Sequence, residues 1–560
     1  MSKADDGTEL PDFADEFPSE FKRSDTPAGL SAPCEPATAT ATDKAESPII
    51  VIGAGAAGFS AALALANRGY KVKLIERQTL GAGSSGRNPG RMGHGFHYVD
   101  VETAKMYLRA SIQVQRTYPG YLVGGDKLSD DHFLRHGRYF ITKDSDNTPT
   151  EILATYAAIK EEYKRLIAED PDNEVFGPVD KFFRVLDPEE YETVVNMDKI
   201  ALGVETAERL FDWKSFATNI RNKILEHPNI TLHEHTEVVS IEHGEYGDKR
   251  FILKAKQRLA NGAVVDSNYE TDYVVNSTWQ NIEELNDQLG LVMVPGARTN
   301  RLKSLLVVKL PESLKNANSM FFCMGQHGMF SNLGNGYGML TYANVTNMAA
   351  FAGLNIDENT KRLLDGGATA AEKSKIASEM LAGVAKYIPE MKNAEAVDVV
   401  FGIVQTEGKL TLAELKDPKS SVHRRNYHGV REEQIGVVSN PAVKLFYFVE
   451  NGELVANLIE DQILASQQID HYMKSILSDA ELHDSPLNAD MKKAIQSYME
   501  RHTSSSLGKS LESGNFANVL IQTMADKKKV NETISKGFFT TKFKTMEDDS
   551  MLLKHNRFTT

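Results

Sequence analysis

The sequence is poor in cysteine and in basic charge. Its 560 residues contain two cysteines, Cys34 and Cys323, which excludes a disulfide framework and a cysteine-based zinc site. We expect no bound metal, and we expect a reducing, cytoplasmic setting. Lys and Arg number 63 against 77 Asp and Glu, a formal charge of −14. Nucleic acid and anionic lipid are therefore not expected as main partners. The length predicts two to four domains or one large composite domain.

A long unbroken hydrophobic segment is also missing. Residues 47–67 carry no charged side chain, but glycines interrupt them soon after the β-branched run 49–52. A strand, a glycine turn and an alanine-rich helix explain this stretch better than a membrane span. Residues 1–46 hold eleven acidic and four basic side chains, which predicts a disordered acidic tail able to bind a protein partner. The tail lacks the features of a signal or transit peptide.

Residues 49–76 predict a βαβ unit. Gly53 permits the tight turn after the first strand, Gly55 lets backbone N–H groups approach a pyrophosphate, and Gly58 allows the helix to pack closely on the strand. The N-terminus of that helix carries partial positive charge directed at the phosphates. Glu76 ends the second strand, where it can accept hydrogen bonds from the hydroxyls of an adenosine ribose. The unit predicts dinucleotide binding and leaves FAD and NAD both open.

The segment after the second strand narrows this choice. It contains Ser84-Ser85-Gly86-Arg87-Asn88-Pro89-Gly90 and then Gly95-Phe96-His97-Tyr98. These runs resemble the D-amino-acid oxidase-like superfamily of FAD-dependent oxidoreductases, which includes glycine and sarcosine oxidases, glycerol-3-phosphate dehydrogenase and 2-hydroxyglutarate dehydrogenase. The resemblance implies FAD as the cofactor.

Two later blocks resemble the same superfamily. Residues 229–232 and 237–241 resemble the strand pair whose backbone meets the adenine side of FAD. Residues 273–279 resemble a strand end of the family, with Trp279 where the family usually has glycine. Residues 444–449 are expected to form a strand, followed by a turn and a helix to about residue 475 whose N-terminal amides face the flavin. Glu453 replaces a basic residue there and is expected to point away. The implied FAD-binding residues are Gly53, Gly55, Ala56, Ala57, Gly58, Glu76, Arg77, Ser84, Ser85, Arg87, Asn88, Gly90, Val238, Ser277, Thr278, Asn451, Gly452, Glu453 and Leu454.

The resemblance also implies an α/β fold in which a Rossmann-like FAD-binding domain is interwoven with an antiparallel-sheet substrate domain, plus a helical C-terminal extension. We predict the acidic tail over 1–46 and assign the remaining segments as follows: the FAD-binding domain takes 47–130, 205–300 and 435–475, the substrate domain 131–204 and 301–434, and the extension 476–560. The extension is a second place where a protein partner could bind.

Candidate catalytic and substrate residues come from the glycine-rich segments. His97 is the first choice and His94 the second, because an imidazole beside the flavin can accept a substrate proton or bind an anionic group. His327 and Tyr337 lie in a glycine-rich hairpin, and Tyr342 on the strand that follows. Arg301 and Arg424 are candidates for anchoring an anionic substrate, since guanidinium pairs with carboxylate in a bidentate fork.

The sequence therefore predicts an FAD-dependent oxidoreductase. It would oxidise a C–N or C–OH bond of a small polar metabolite (an amino acid, an N-methyl amino acid or a hydroxy acid) by hydride transfer to flavin N5, and would pass electrons to oxygen or another acceptor. Two alternatives remain: an NAD-linked dehydrogenase, and a non-catalytic flavin-fold scaffold that binds partners through its terminal extensions.

Overall fold

The computed structural model describes residues 47–125, 127–244, 249–292, 298–325, 327–352, 356–407 and 427–478. The predicted acidic tail over 1–46, Arg424 and nearly all of the predicted extension over 476–560 lie outside these residues.

The strands and helices follow in chain order. The strands are β1 Ile49–Ile52, β2 Val72–Ile75, β3 Gly137–Thr142, β4 Phe183–Val185, β5 Ile200–Thr206, β6 Ile230–His233, β7 Thr236–His243, β8 Phe251–Arg258, β9 Val264–Thr271, β10 Val274–Asn276, β11 Arg298–Lys309, β12 Ser319–Cys323, β13 Gly328–Gly334, β14 Tyr337–Tyr342, β15 Asn347–Ala352, β16 Glu395–Glu407, β17 Arg431–Gln434 and β18 Val437–Ser439. The α-helices are α1 Ala56–Asn67, α2 Val101–Thr117, α3 Pro149–Glu169, α4 Trp213–Glu226, α5 Ile282–Gln288, α6 Ala343–Thr346, α7 Glu358–Leu364, α8 Ala370–Val384 and α9 Phe448–Ser478.

A six-stranded sheet forms the first layer, in the order β17-β18-β10-β1-β2-β6. Its strands run parallel except for β17, which is antiparallel to β18. The predicted βαβ unit is present: β1 and β2 are adjacent and parallel, and α1 connects them. Every residue of β1 is buried, as expected for a strand with neighbours on both sides and helices on its faces. This is the predicted Rossmann-like layer.

A nine-stranded sheet forms the second layer. Its main path is β15-β11-β14-β13-β12-β3-β5-β4, with β16 paired to β11, and its pairs are antiparallel except for β12 with β3. One face buries Phe140, Phe322 and Leu340 in a core with α8, and the other contributes Tyr139 and Ile141 to the core that contains α1. A three-stranded sheet, β7-β8-β9, packs against the first layer.

The predicted fold class is confirmed by this arrangement of parallel and antiparallel layers. Five strands of the six-stranded sheet come from the segments predicted to bind FAD, whereas β17 comes from a segment predicted for the substrate domain. The domain boundaries stay a prediction. Among the helices of the described residues, none is sufficiently long and apolar to cross a membrane.

The predicted strand over 444–449 is wrong. Residues Leu445–Tyr447 form a 3-10 turn, and α9 begins at Phe448. The run is aromatic and suits a strand by propensity, but Phe446, Tyr447 and Phe448 are buried in the core beside α1. Burial against a neighbouring helix outweighs intrinsic strand propensity here. Residues 451–454 therefore lie inside α9 and do not form a turn before it.

We expect Gly452→Ala to lower the free energy of unfolding by about 1–3 kcal/mol, because α9 crosses α1 where a Cβ has no room. A Cβ at Gly452 would lie 2.8 Å from the Ser60 backbone oxygen and closer still to its hydroxyl. Helix propensity alone favours alanine by about 1 kcal/mol, so a net loss isolates the steric conflict. Urea unfolding measures the change. The control is Glu453→Ala at an exposed neighbour; equal stability of the two variants would contradict a tight crossing.

Candidate functional site

A cavity of about 290 Å³ opens at the carboxyl ends of β1, β2 and β10. This is the edge at which open α/β sheets bind their ligands. Residues of β7, of β16 and of the segment that precedes α9 complete its walls. The lining residues are Ile52, Gly53, Gly55, Ala56, Ala57, Ile75, Glu76, Arg77, Gln78, Gly83, Ser84, Ser85, Asn88, Thr236, Glu237, Val238, Ser277, Thr278, Trp279, Gln280, Asn281, Leu285, Ile403, Val404, Pro441, Ala442, Val443, Lys444 and Leu445.

The glycine turn forms the floor of this cavity. Gly53 has φ +90°, and a Cβ there would lie 2.7 Å from the backbone oxygen of Ser277 at the end of β10. A Cβ at Gly58 would overlap the carbonyl oxygen of Gly53. The turn can therefore close beneath β10 only because both side chains are missing.

Polar groups converge on the floor from three segments. Gly55 is the N-cap of α1 and has no side-chain cap. The N–H of Ala56 donates to the hydroxyl of Ser85 at 3.0 Å. The hydroxyl of Ser277 is buried without a hydrogen-bond partner among the described residues. A helix N-terminus, two hydroxyls and a backbone without side chains suit a pyrophosphate, so the residues present fit a bound dinucleotide.

Glu76 is fixed at the carboxyl end of β2. Its two carboxylate oxygens accept the N–H groups of Ala54, at 2.8 Å, and Gln78, at 2.9 Å. Burial raises the pKa of Glu76 above its ordinary value, and the two backbone N–H groups act in the opposite direction. The carboxylate is thus held rigidly at the cavity wall, where the sequence predicts a ribose.

The outer edge of β16 roofs the cavity. The N–H of Ile403 donates to the hydroxyl of Ser84 at 3.3 Å, and its carbonyl accepts the indole N–H of Trp279 at 2.9 Å. Trp279 has φ +58°, the left-handed conformation that glycine adopts without cost. The residue that departs from the family pattern therefore keeps a glycine-like backbone, and its side chain is hydrogen-bonded to the nine-stranded sheet.

Several predicted cofactor residues lie outside the lining and support it. Arg87 donates to the carbonyl oxygens of Leu364 and Phe401, at 2.6 and 3.2 Å. Gly90 has φ +68°, and its N–H donates to the side chain of Asn88 at 2.7 Å. Together with Gly58, these residues shape the turns that carry the lining residues.

The four predicted residues of α9 also lie outside the lining. Asn451 is buried and donates to Asn440 at 2.9 Å, and Asn440 donates to the Ala57 carbonyl at 3.0 Å. Glu453 points away from the cavity, as the sequence indicates, and pairs with Arg68 at 2.7 Å. Gly452 packs against Ser60 of α1, and Leu454 lies within α9. Because α9 begins earlier than expected, Pro441–Leu445 line the cavity in their place.

The structure separates the two candidate histidines. His94 is completely buried, its ring stacks on Phe176 with centroids 3.7 Å apart, and its Nε2 lies 3.2 Å from the Ala207 carbonyl oxygen. His97 is partly exposed, with its ring 4.5 Å from that of Phe321. The next residue, Tyr98, lies under the ammonium of the cavity residue Lys444 at 4.8 Å. His94 is thus part of the core, whereas His97 is partly exposed and is not among the residues that line the cavity.

Strand register divides the predicted substrate residues between the two faces of the nine-stranded sheet. Arg301 pairs with the lining residue Val404, so the two side chains share one face. Tyr337 lies on that same face. It is two residues from Met339, whose partner Val307 is an even number of residues from Arg301 along β11. The register therefore places Arg301 and Tyr337 on the cavity side.

Tyr342 and His327 lie on the opposite side of this sheet. Tyr342 packs in the core with α8, and its hydroxyl is 3.3 Å from the Lys386 ammonium. His327 bonds to Thr142 at 3.0 Å and to the Tyr387 hydroxyl at 2.9 Å. The structure does not bring these two residues to the cavity. Alternation along β14 turns Tyr342 to the opposite face, and His327, which precedes β13, is held there by its bonds to Thr142 and Tyr387.

Sequence reasoning missed several lining residues, among them Trp279, Ile403, Val404 and Lys444. Trp279 was visible as a departure from the family pattern, but the pattern gave it no partner. The residues of β16 carry no motif and reach the cavity through the pairing of β16 with β11. Lys444 was assigned to a strand that does not form.

We expect His94 to make the protein sensitive to acid. Burial lowers the pKa of His94 from 6.5 to about 4, so between these values the unfolded chain binds a proton that the folded chain does not. Stability from this source is complete above pH 6.5 and falls by up to about 3 kcal/mol as the pH drops to 4. Urea unfolding at pH 7 and pH 5 measures the slope.

His94→Asn should reduce that slope, whatever its effect on stability at pH 7. His136→Asn is the matched control, since the His136 ring bonds to the Asp130 carbonyl near the surface, and should retain it. An unchanged slope in the His94 variant would contradict the assignment.

Comparison with known proteins identifies the family to which the sequence belongs. Residues 48–407 match the family model described as DAO, FAD dependent oxidoreductase. A curated relative, the tRNA 5-methylaminomethyl-2-thiouridine biosynthesis bifunctional protein MnmC of Chromohalobacter salexigens, is 54% identical over 44 residues. That match covers 8% of this chain and 6% of the relative, so the chain spans a small part of the relative's length.

Solved structures of similar fold include two enzymes. Glycine oxidase from Geobacillus kaustophilus is 16% identical, with 74% of this chain and 95% of that chain covered and a TM-score of 0.48. L-amino acid deaminase from Proteus myxofaciens is 14% identical, with 76% and 92% covered and a TM-score of 0.49. The family model spans more than half of the sequence, and the predictions of an FAD-dependent oxidoreductase and of FAD as its cofactor are confirmed. The chain belongs to the DAO family of FAD-dependent oxidoreductases.

Proposed function

We propose that this protein uses FAD to oxidise the C–N or C–OH bond of a small polar acid, an amino acid, an N-methyl amino acid or a hydroxy acid. The observation that carries the proposal is the cavity between the two layers. Its floor is the glycine turn of the six-stranded sheet, and its roof is β16 of the nine-stranded sheet. A cofactor on that floor would face a sheet surface on which a substrate can bind.

The cofactor would be held by residues already fixed in place. Gly53 and Gly55 let the backbone approach the pyrophosphate, and the N-terminus of α1 supplies partial positive charge. The Ser277 hydroxyl, which is buried without a partner among the described residues, would donate to it. Glu76 would accept hydrogen bonds from the ribose. Bound FAD supplies a ring system that accepts a hydride from carbon.

The substrate would bind on the face of the nine-stranded sheet that carries Arg301. The register of the pairs extends this face from Val404 and Arg301 through Met339 to Phe321, which contacts His97. A guanidinium lies at one end of the face and an imidazole at the other.

Each of these two side chains has a distinct proposed role. Arg301 would pair with the substrate carboxylate and orient the molecule. A ring nitrogen of His97 would accept the proton from the substrate N–H or O–H as the hydride leaves carbon. Lys444, which lines the cavity near Tyr98, would add positive charge beside an anionic substrate.

Anaerobic reduction of the bound flavin tests the proposal. The FAD-loaded protein is mixed, without oxygen, with a panel of α-amino, N-methyl amino and α-hydroxy acids, and loss of flavin absorbance is followed. Reduction by members of the panel would support the proposed reaction and name its substrate class. FAD that binds and is reduced by none of them would favour the non-catalytic scaffold.

We expect Glu76→Gln to weaken FAD binding by about 10- to 100-fold, because a hydrogen bond to a charged group contributes about 1.5–3 kcal/mol. Titration of the apoprotein with FAD, followed by flavin fluorescence, measures the affinity. Glu242→Gln is the control, since that carboxylate pairs with Lys254 on the surface. Equal affinities in the two variants would remove Glu76 from the cofactor site.

We expect His97→Asn to slow flavin reduction by about 10²- to 10⁴-fold, the usual contribution of a general base, while FAD content stays the same. Rapid mixing with the best substrate of the panel measures the rate. Tyr342→Phe is the control, because Tyr342 lies on the opposite face of the sheet. An unchanged rate in the His97 variant would exclude its proposed role.

A further inference from the structure

The outer edge of β16 is tied to the cofactor-binding layer at Ile403 and, two residues earlier, at Phe401, whose carbonyl accepts a hydrogen bond from Arg87 at 3.2 Å. Both backbone polar groups of Ile403 are bonded there: its N–H to the Ser84 hydroxyl at 3.3 Å and its carbonyl to the indole N–H of Trp279 at 2.9 Å. Ser84 follows β2 and Trp279 follows β10. Two separate segments of one layer therefore hold a single residue of the other layer.

Trp279 is held in its conformation by these contacts. Its φ of +58° is uncommon for a large side chain and costs about 1–3 kcal/mol. The indole packs against the core around Ile403 and Leu302, and its backbone oxygen lies 3.5 Å from the Gln405 side-chain nitrogen. A backbone of this kind persists only where its surroundings determine it, which indicates that the indole position is specified by the fold.

Ser84, Ile403 and Trp279 all line the cavity. The hydrogen bonds that join them therefore cross it from the segment after β2 to the segment after β10. A ligand that occupies the glycine turn on one side and the face of the nine-stranded sheet on the other has to pass this crossing. At Ile403 the crossing consists of two hydrogen bonds.

We propose that these three residues form a clamp, the Ile403 clamp, which has to open before FAD can enter or leave its site. Trp279 is then a positioning residue that controls cofactor exchange and has no part in hydride transfer. The inference rests on the proposed function, since it takes the cavity to be the FAD site.

A clamp and a simple contact residue differ in their kinetics. If the clamp opens before both entry and exit, weakening it raises the association and dissociation rate constants of FAD together, and the affinity changes little. A residue that only touches bound FAD changes the dissociation rate and leaves the association rate almost unchanged. Measuring both rates separates the two roles.

The experiment compares Trp279→Phe with the unchanged protein. Phenylalanine keeps an aromatic ring and removes the N–H that reaches Ile403. Stopped-flow mixing of apoprotein with FAD gives the association rate, and displacement of bound FAD by excess 8-chloro-FAD gives the dissociation rate. Loss of one neutral hydrogen bond predicts a rise of about fivefold in both rates, with a change in affinity below about twofold.

Two further variants complete the design. Trp279→Gly removes the ring and suits the left-handed backbone, so both rates should rise at least as much as in Trp279→Phe. Tyr273→Phe is the matched control, because it removes a tyrosine hydroxyl that bonds to Ser466 at 3.3 Å on the other side of β10. Both of its rates should equal those of the unchanged protein.

Equal rates in Trp279→Phe and the unchanged protein would overturn the clamp, and so would a rise confined to dissociation. An unchanged protein that binds no FAD would overturn the proposed function itself, so the two failures are distinguishable.

Discussion

The close approach of the glycine turn to β10 is the constraint on which the rest of the site depends. Gly58 sits against the carbonyl of Gly53, and Gly53 against the backbone of Ser277. This contact brings the end of β1, the start of α1 and the end of β10 together at one point. The N-terminus of α1 is directed at the cavity because no side chain separates it from the turn. α9 then crosses α1 at Gly452 and carries the segment Pro441–Leu445 to the same edge.

The nine-stranded sheet has a different task on each face. One face is covered by α8 and holds Tyr342 and His327 in hydrogen bonds that complete the packing. The other face meets the cofactor layer and carries Arg301 and Phe321. Because side chains alternate along a strand, residues of the same chemical type lie either in the core beneath α8 or on the face toward the cofactor layer. A charge buried beside such a face needs a partner of opposite charge. The guanidinium of Arg91 has one, because it forms two 2.7 Å hydrogen bonds with the buried carboxylate of Glu208.

The parts of the site that were predictable from sequence are those fixed by local geometry. The βαβ unit, its three glycines and Glu76 lie within 28 residues, and their spacing alone specifies the turn, the helix start and the strand end. The place of Val404 was not predictable, because it depends on the long-range register between β11 and β16. The strand predicted over 444–449 is wrong for a related reason. Its aromatic residues favour a strand locally, but burial beside α1 places them in a 3-10 turn and the start of α9. His94 and His97 are three residues apart and look equivalent in the sequence, yet His94 is in the core and His97 is partly exposed beside Phe321.

The order of strands in the six-stranded sheet also bears on how the chain is synthesised. β1 pairs with β10, and β10 pairs in turn with β18, which comes from the last part of the described chain. A ribosome therefore releases β1, β2 and β10 long before the strand that covers the edge of β10 exists. An open strand edge can pair with other chains, so the nascent protein is exposed to misassembly at this edge while residues 277–436 are synthesised. For the same reason no contiguous fragment that ends before Val437 contains a complete cofactor layer.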